Sequence, residues 1–373
     1  MQVIEIDPSE RRFRRSFLDL PTRLYAACPQ WVPPLQMDID RMLDRRRHPF
    51  YQHSEAAFFL AYDKDGHPVG RIAVLNNRNY NRFNNERTAF FYLLECVEAP
   101  NVAQALFGAA LDWCRARGLN KIMGPKGFTA LDGMGLLIRG FEHRPALGIP
   151  YNLPYYPSLV EAAGFAAKAD TVSGHIDGSM RLPDKVHRLA DLIKQKRGLH
   201  VPLYRTRREL MAIVPRLQSM YNAVLPGTSG NVPLTDDEVG TMAQQLSLFA
   251  NPRLIKILMK GEDPVGFLFC YPDISAALQR SGGRLLPFGW LDALIELRRT
   301  KWLNINGAGI VEKYRGLGGT AILFCEMEKS IREGNFDHAE VVQIGTDNDR
   351  MQRELRDLGI DFYKTHRVYE RAI

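Results

Sequence analysis

The chain of 373 residues has few cysteines, and their placement excludes more than their number does. Cys28, Cys96, Cys114, Cys270 and Cys325 are scattered, odd in count and never spaced as C-x-x-C, which argues against a disulfide framework and a structural zinc site. A reducing, cytoplasmic setting is the expectation. Long apolar runs are missing too. No stretch approaches the ~18 uninterrupted apolar residues of a membrane span, and the opening MQVIEIDPSERRFRR has no apolar signal core. The nine histidines show no metal-ligand spacing, no Gly-Lys-Ser/Thr is present, and Gly227-Thr228-Ser229-Gly230 is not a nucleophile elbow. No metal is therefore expected. Charge of one sign is scarce as well: a net +7 over this length favours anionic partners only weakly. Arg11-Arg12-Phe13-Arg14-Arg15 and Arg45-Arg46-Arg47-His48 read as exposed faces of amphipathic helices, with Phe13, Phe17 and Leu20 turned inward, so nucleic acid is not the expected partner.

What the sequence does hold is length and repetition. With 45% hydrophobic residues it can fill two packed cores. Residues 57–75, AFFLAYDKDGHPVGRIAVL, predict two strands joined by a tight turn at Asp65-Gly66, and residues 253–271, RLIKILMKGEDPVGFLFCY, predict the same. Pro-Val-Gly recurs at Pro68 and at Pro264, an offset of 196. Each hairpin leads to a strand, an amphipathic helix and another strand. The first series is FFYLLECV, NVAQALFGAALDWCRARG and NKIMG; the second is KWLNINGAGIV, GGTAILFCEMEKSIREG and HAEVVQIG. Both then enter an asparagine-led segment that ends on glycine, from Asn152 and from Asn348. The second half carries an insertion over roughly residues 272 to 300, and the first half carries GFTALDGMGLLIRGFEHRPALGIPYNLPYY. That first-half insertion has two readings: a loop packed on its own domain, or an arm that shapes an acceptor pocket.

The second series holds the segment KYRGLGGTAI, residues 313–322, in which charge runs into three glycines and then into a helix start. Backbone N–H groups and the positive end of a helix dipole converge at such a place and suit a phosphate. Gly316-Leu317-Gly318-Gly319-Thr320-Ala321 also satisfies G-x-G-x-x-G/A, with Asp337 downstream where a ribose ligand of NAD would stand. Against the dinucleotide reading, Glu312-Lys313-Tyr314-Arg315 separate the apolar strand from the first glycine, and little chain follows. The first half has Cys96-Val97-Glu98-Ala99-Pro100-Asn101 at this place, without glycine. Glu98 would repel a pyrophosphate, and Asn101 reads as a helix cap or part of a turn set by Pro100.

Arg315, Gly318 and Thr320, with Gly316, Gly319 and Ala321 among them, resemble the signature of the GNAT superfamily of acyl-CoA-dependent N-acyltransferases: Arg or Gln, two residues, Gly, one residue, Gly or Ala. Threonine in the last place is a departure. Asn348, Met351, Leu355, Gly359 and Ile360 fit the spacing of the family's second motif, with leucine where tyrosine is usual. The whole chain, through GPKGFTALDGMGLLIRGF, PYNLPYYPSLVEAAGF and YKTHRVYERAI, also resembles an uncharacterised tandem branch of that superfamily.

The resemblance implies an α/β (α+β) protein of two GNAT-like domains in tandem, each a mixed, mostly antiparallel central sheet flanked by helices. Residues 1–182 would form a degenerate GNAT-like domain and residues 183–373 the acyl-CoA-binding domain. Acetyl-CoA or another acyl-CoA is the implied donor. Ile310 and Val311 would pair with the pantetheine arm; Arg315, Gly316, Leu317, Gly318, Gly319, Thr320 and Ala321 would wrap the pyrophosphate; Asn348 belongs to the same site. The acceptor would be a small-molecule or peptide amine. Family members often place a carboxylate on the strand before the loop, where this chain has Asn304 and Asn306; asparagine orients but cannot take a proton. Asp292 and Glu296 are alternative bases, and Tyr363 or Tyr369 alternative acids. Three other readings stay open: an acyl-CoA-binding protein without turnover, a transferase that uses aminoacyl-tRNA, and an NAD-binding protein.

Overall fold

A computed structural model describes residues 1–129, 132–224, 232–249 and 251–373. The Gly227–Gly230 segment, and Ala130 and Leu131 of the first-half insertion, lie outside the described residues. The chain forms two compact units with interleaved segments. Unit 1 holds Met1–Thr171, Ser275–Leu294 and Lys364–Ile373; unit 2 holds Val172–Ile274 and Ile295–Tyr363. The sequence predicts a single division at 182/183, whereas in the compact units the segment 275–294 and the last ten residues go with unit 1.

In chain order the first elements are β1 (Gln2–Glu5), α1 (Arg11–Leu24), α2 (Gln36–Leu43), β2 (Glu55–Tyr62), β3 (Pro68–Asn76) and α3 (Arg78–Asn84). They continue with β4 (Thr88–Cys96), α4 (Pro100–Arg115), β5 (Lys121–Gly124), β6 (Leu136–Arg139), α5 (Tyr156–Ala162) and β7 (Ala166–Asp177). Next come α6 (Asp184–Arg197), β8 (Leu199–His200), α7 (Arg207–Val224), α8 (Asp236–Phe249), β9 (Ile255–Lys260) and β10 (Asp263–Pro272). The insertion supplies α9 (Ser275–Ser281) and α10 (Gly289–Arg299), followed by β11 (Trp302–Ile310), α11 (Gly319–Glu333), β12 (His338–Gly345), α12 (Asp349–Asp357) and β13 (Asp361–Ala372).

In unit 1 the strand order is β1-β2-β3-β4-β5-β13, with β6 also on β13. The β2–β3 hairpin is antiparallel, β4 meets β5 in parallel, and Tyr369–Ala372 of β13 run antiparallel to β5. In unit 2 the order is β7-β12-β11-β10-β9-β8, with the β9–β10 hairpin antiparallel and β11 parallel to β12. Each hairpin, and each strand, helix, strand series read from the sequence, is present in its own unit. The mostly antiparallel sheets are not the doubly wound parallel sheet that a dinucleotide-binding reading of Gly316–Ala321 requires.

Burial follows the strand alternation. In unit 2 the odd residues Leu303 and Ile305 of β11, with Leu268 and Cys270 of β10, join Ile193 of α6 and Ile322, Leu323 and Met327 of α11 in one core cluster. On the opposite face Phe267 and Phe269 pack with Leu210, Ile213 and Met220 of α7. In unit 1, Phe91, Leu94 and Cys96 of β4 pack with Leu106, Phe107 and Trp113 of α4 and with Tyr156 and Leu159 of α5. Phe128 of the first-half insertion stacks on Phe58 and meets Phe50 edge-on, with Tyr51 tilted beside it, within unit 1. The amphipathic reading holds for α1, with Phe17 and Leu20 buried, but not for Arg45-Arg46-Arg47-His48, which follow α2 in a turn that buries His48. The expected cap Asn101 is instead the second residue of α4, because Ala99 takes the N-cap place and Pro100 the first turn.

A splayed strand and a glycine-led helix

β11 and β12 stand in parallel register only from Trp302–Ile305 against His338–Val341. Beyond Ile305, β11 breaks step. Its register on β10 shifts between Leu268 and Cys270, and Gly307 sits at φ +99°, a conformation that a side chain would strain. β11 then runs on to Ile310 along β10 alone. Val311 N donates to Val265 O (2.9 Å). The alternation of an antiparallel ladder therefore turns the N–H and C=O of Ile310 toward the other, open edge. The Ile310 carbonyl accepts a hydrogen bond from Arg315 Nε (3.0 Å). Val311 is differently placed: its N–H goes to Val265 and its carbonyl accepts from Tyr314 N (2.8 Å).

The chain then turns through Arg315 and Gly316, both exposed, into α11. Gly318 is the N-cap at φ +86°, no side chain caps the helix, and no acidic residue stands in its first turn. A 15-residue helix thus opens with amide N–H groups that nothing anionic in its own sequence answers. Two glycines are tightly packed, and Gly318 is favoured by its φ as well. A Cβ on Gly318 would fall on Ile193 Cδ1, and one on Gly319 would lie 2.6 Å from Leu258 Cδ2. Gly316, at φ +74°, has open space around it. Leu317 and Ala321 pack into the core beneath, and Thr320 is half-buried in the first turn.

A polar group lies on the α7 face of the same sheet. Asn304 stands opposite Tyr271 on one side and Glu340 on the other, so the three share that face. Asn304 Nδ2 donates to Asp273 Oδ2 (3.0 Å), and Asn306 Nδ2 donates to the Tyr271 hydroxyl (2.8 Å). Asn304 is 1% exposed and its Oδ1 has no hydrogen-bond partner. Burial raises the Tyr271 pKa well above its ordinary value, so that hydroxyl stays protonated. Asp273 and Glu340 are buried carboxylates on this face that the sequence reading missed. Their signal is parity: Glu340 interrupts the apolar run of β12, and Asp273 follows the apolar run of β10.

Other expected residues stand elsewhere. Asn348 Oδ1 accepts from Met351 N (3.2 Å) and caps α12. Tyr363 packs on His175, which hydrogen-bonds His338 and lies against Trp302, at the first residues of β11 and β12. Tyr369 is fully buried in unit 1 and donates to Glu161 (3.1 Å). Asp292 is held by Arg280 through two bonds of 2.8 Å, and Glu296 is half-buried on α10. Asp337 lies within 3.9 Å of Lys301, in the turn before β12. Asp63, Asp65 and His67 come together on the exposed β2–β3 turn, where Asp63 Oδ1 accepts from the backbone N–H groups of the other two.

Unit 1 closes the equivalent place. Val97 N donates to Val69 O, as Val311 does to Val265, so Cys96 is the counterpart of Ile310. Its N–H donates to the Tyr156 hydroxyl (3.0 Å) and its carbonyl accepts from the Tyr155 hydroxyl (2.7 Å). The Tyr156 and Tyr25 hydroxyls donate to Glu95, whose pKa is raised by burial against the opposing pull of Arg71. Further along, Lys126 N donates to Phe91 O (2.9 Å). Burial lowers the Lys126 pKa to about 8 and raises that of Asp132 to about 6. Both lie in the GPKGFTALDGMG segment, and the sequence reading gave neither a role.

No family model matches the chain. A tandem GNAT protein from the clavulanic acid biosynthesis pathway superposes over 100% of this chain and 98% of its own, with a TM-score of 0.57 at 11% identity. The fold is a tandem GNAT fold. A GCN5-related N-acetyltransferase from Sphaerobacter thermophilus agrees, with a TM-score of 0.51 over 100% and 95% of the two chains at 12% identity. Among curated proteins, "Protein YghO" of Escherichia coli (strain K12) is 28% identical over 367 residues, covering 96% of this chain and 93% of its own. A "Bacterial ceramide synthase" of Caulobacter vibrioides (strain NA1000 / CB15N) is 27% identical over 369 residues, covering 96% and 94%. Within the tandem GNAT fold, the splayed β11 and glycine-led α11 stand in unit 2, and the tyrosine-blocked counterpart stands in unit 1.

Proposed function

We propose that the protein is an N-acyltransferase that takes its acyl group from an acyl-CoA held by unit 2. The observation that carries this reading is the open edge of β11 at Ile310 running directly into the uncapped, glycine-led start of α11. The pyrophosphate would sit on the amides of residues 316–320. Arg315 would leave the Ile310 carbonyl for a phosphate, freeing that carbonyl for an amide of the pantetheine arm. Ile310, whose N–H and C=O face the edge, serves this role better than Val311, whose groups are spent within the chain. Asn348 would reach the ligand only through its Nδ2, since its Oδ1 caps α12.

Acyl transfer from a thioester needs a free amine, a stabilised carbonyl oxygen and a proton for the departing thiolate. The bulge at Gly307 withdraws backbone groups from the β10 ladder and would offer an N–H to the developing oxyanion. Asn304 and Asn306 would orient the amine, and Asp273 or Glu340 would take its proton, directly or through water. Tyr271, kept neutral by burial, would donate a hydrogen bond to the departing thiolate, and the proton taken from the amine would pass to that thiolate through the carboxylate or water. Tyr363 and Tyr369 stand away from this face. The name of the Caulobacter relative supports a long-chain amine as acceptor and a fatty acyl group as the transferred unit, because a ceramide is an N-acylated long-chain amino alcohol.

The reading is tested by following CoA thiol release from acetyl-CoA and palmitoyl-CoA with sphinganine, with short amines and with peptides. Release that depends on an amine supports it. CoA binding without release for any amine would favour a binding protein, and stabilisation by NAD but not by CoA would refute the site.

A further inference from the structure

The segment from Arg284 to Lys301 turns apolar side chains to solvent. Leu286 is 79% exposed and Phe288 73%, and Trp290, Leu291, Leu294 and Ile295 are exposed along α10. Trp290, Leu291, Leu294, Ile295 and Arg298 recur at the spacing of one helix face, whereas Ala293 is the buried residue of this helix. An amphipathic helix ordinarily turns its apolar stripe inward; α10 turns it outward. Trp290 Nε1 donates to Pro287 O (3.1 Å), which ties the ring to the turn that carries Leu286 and Phe288.

The exposed charges beside this stripe are cationic. Between residues 280 and 301 stand five cations and two acids. Arg280 pairs with Asp292, Arg284 with Asp19 and Lys301 with Asp337, which leaves Arg298 and Arg299. Of the acids, Asp292 is already engaged by Arg280 and Glu296 is only half-exposed. Arg298 and Arg299 are exposed at the end of the helix, next to the stripe. A protruding wedge of leucine, phenylalanine and tryptophan with arginines at its margin matches the boundary between headgroups and acyl chains, where aromatic rings settle and cations meet lipid phosphates. An apolar surface of this kind left bare in water is otherwise a liability.

We propose that α10 and the turn before it dock the protein on the surface of an anionic lipid bilayer, with Leu286, Phe288, Trp290 and Leu291 at the acyl boundary and Arg298 and Arg299 on lipid phosphates. This inference does not depend on acyl transfer being the reaction.

Full-length protein is sedimented with vesicles of phosphatidylcholine alone and of phosphatidylcholine mixed with phosphatidylglycerol. The parent binds the mixed vesicles, more weakly as salt rises, and its tryptophan emission moves to the blue, a shift that Trp290→Phe removes. The triple variant Leu286→Ser, Phe288→Ser, Leu291→Ser loses binding by at least about tenfold, and Arg298→Glu with Arg299→Glu loses it by about tenfold or more. All these residues are exposed, so both variants melt with the parent. A parent that binds neither vesicle, variants that bind like the parent, or a parent dimer that the serine variant converts to monomer without any vesicle binding would each overturn the proposal.

Discussion

Replacing Gly318 by alanine separates what the fold needs from what a ligand needs. The residue sits at φ +86°, where a side chain costs about 1–2 kcal/mol. The new Cβ also falls on Ile193 Cδ1 of α6, and overpacking of this kind costs about 1–3 kcal/mol. Together these predict a loss of about 2–5 kcal/mol, or a fall in melting temperature on the order of 10 °C for a unit of this size. Only the steric part is reversible: Ile193→Val removes the colliding methyl, so Gly318→Ala with Ile193→Val should melt above Gly318→Ala alone, although Ile193→Val by itself is destabilising by about 1 kcal/mol. Arg315→Ala gives the opposite signature. Its side chain is exposed, so the melt is unchanged, while affinity for CoA drops about tenfold through loss of a charged contact to phosphate. Differential scanning calorimetry with and without CoA, together with titration calorimetry, reads the four variants beside the parent. A Gly318→Ala protein that melts with the parent would refute the packing argument. An Arg315→Ala protein with unchanged CoA affinity would refute the cradle.

Acid should expose the buried His366 of unit 1, whose pKa burial lowers to about 4. Below its ordinary value near 6.5 the unfolded chain binds a proton that the folded chain refuses, so stability present above that pH falls by about 1.4 kcal/mol per unit, about 3 in all, between pH 6.5 and 4. His366→Gln keeps a donor for the Pro150 carbonyl and should flatten this part of the denaturation profile relative to the parent; parallel profiles would refute the assignment. Titration calorimetry should count one CoA per chain, since Tyr155 and Tyr156 occupy Cys96 in unit 1, and two equivalent sites would contradict that. Asp273→Asn should lower acyl transfer at least tenfold at neutral pH and recover part of it as the amine's own ionisation takes over at high pH; an unchanged pH profile would exclude Asp273 as the base.

Much of the fold was legible because its signals are local. The Pro-Val-Gly hairpins, the strand, helix, strand series and the glycine loop each depend on spacing within a short stretch. The residues that line the polar face were not legible, because Asp273, Asn304 and Glu340 meet only when three strands align in register. Asn304 and Asn306 drew notice through a resemblance, yet their partners Asp273 and Tyr271 lie in another element and carry no motif. The orientation of Ile310 against Val311 depends on which ladder position is hydrogen-bonded, and a one-residue change reverses it. The interleaving of the compact units likewise leaves no local signal, since no composition shift marks Lys364, from which β13 belongs to unit 1.

That last strand bears on how the protein is made. Residues 364–373 complete the sheet of unit 1, beside β5, although unit 1 is otherwise built mainly from the start of the chain. During synthesis the first unit must therefore wait, with the edge of β5 unpaired, until residues 364–373 are translated. An open edge of that kind is a template for wrong pairing, so nascent chains should depend on chaperones for longer than their early sequence suggests. Removing residues 364–373 would injure unit 1, and a fragment ending near residue 182 would lack the strand that finishes it.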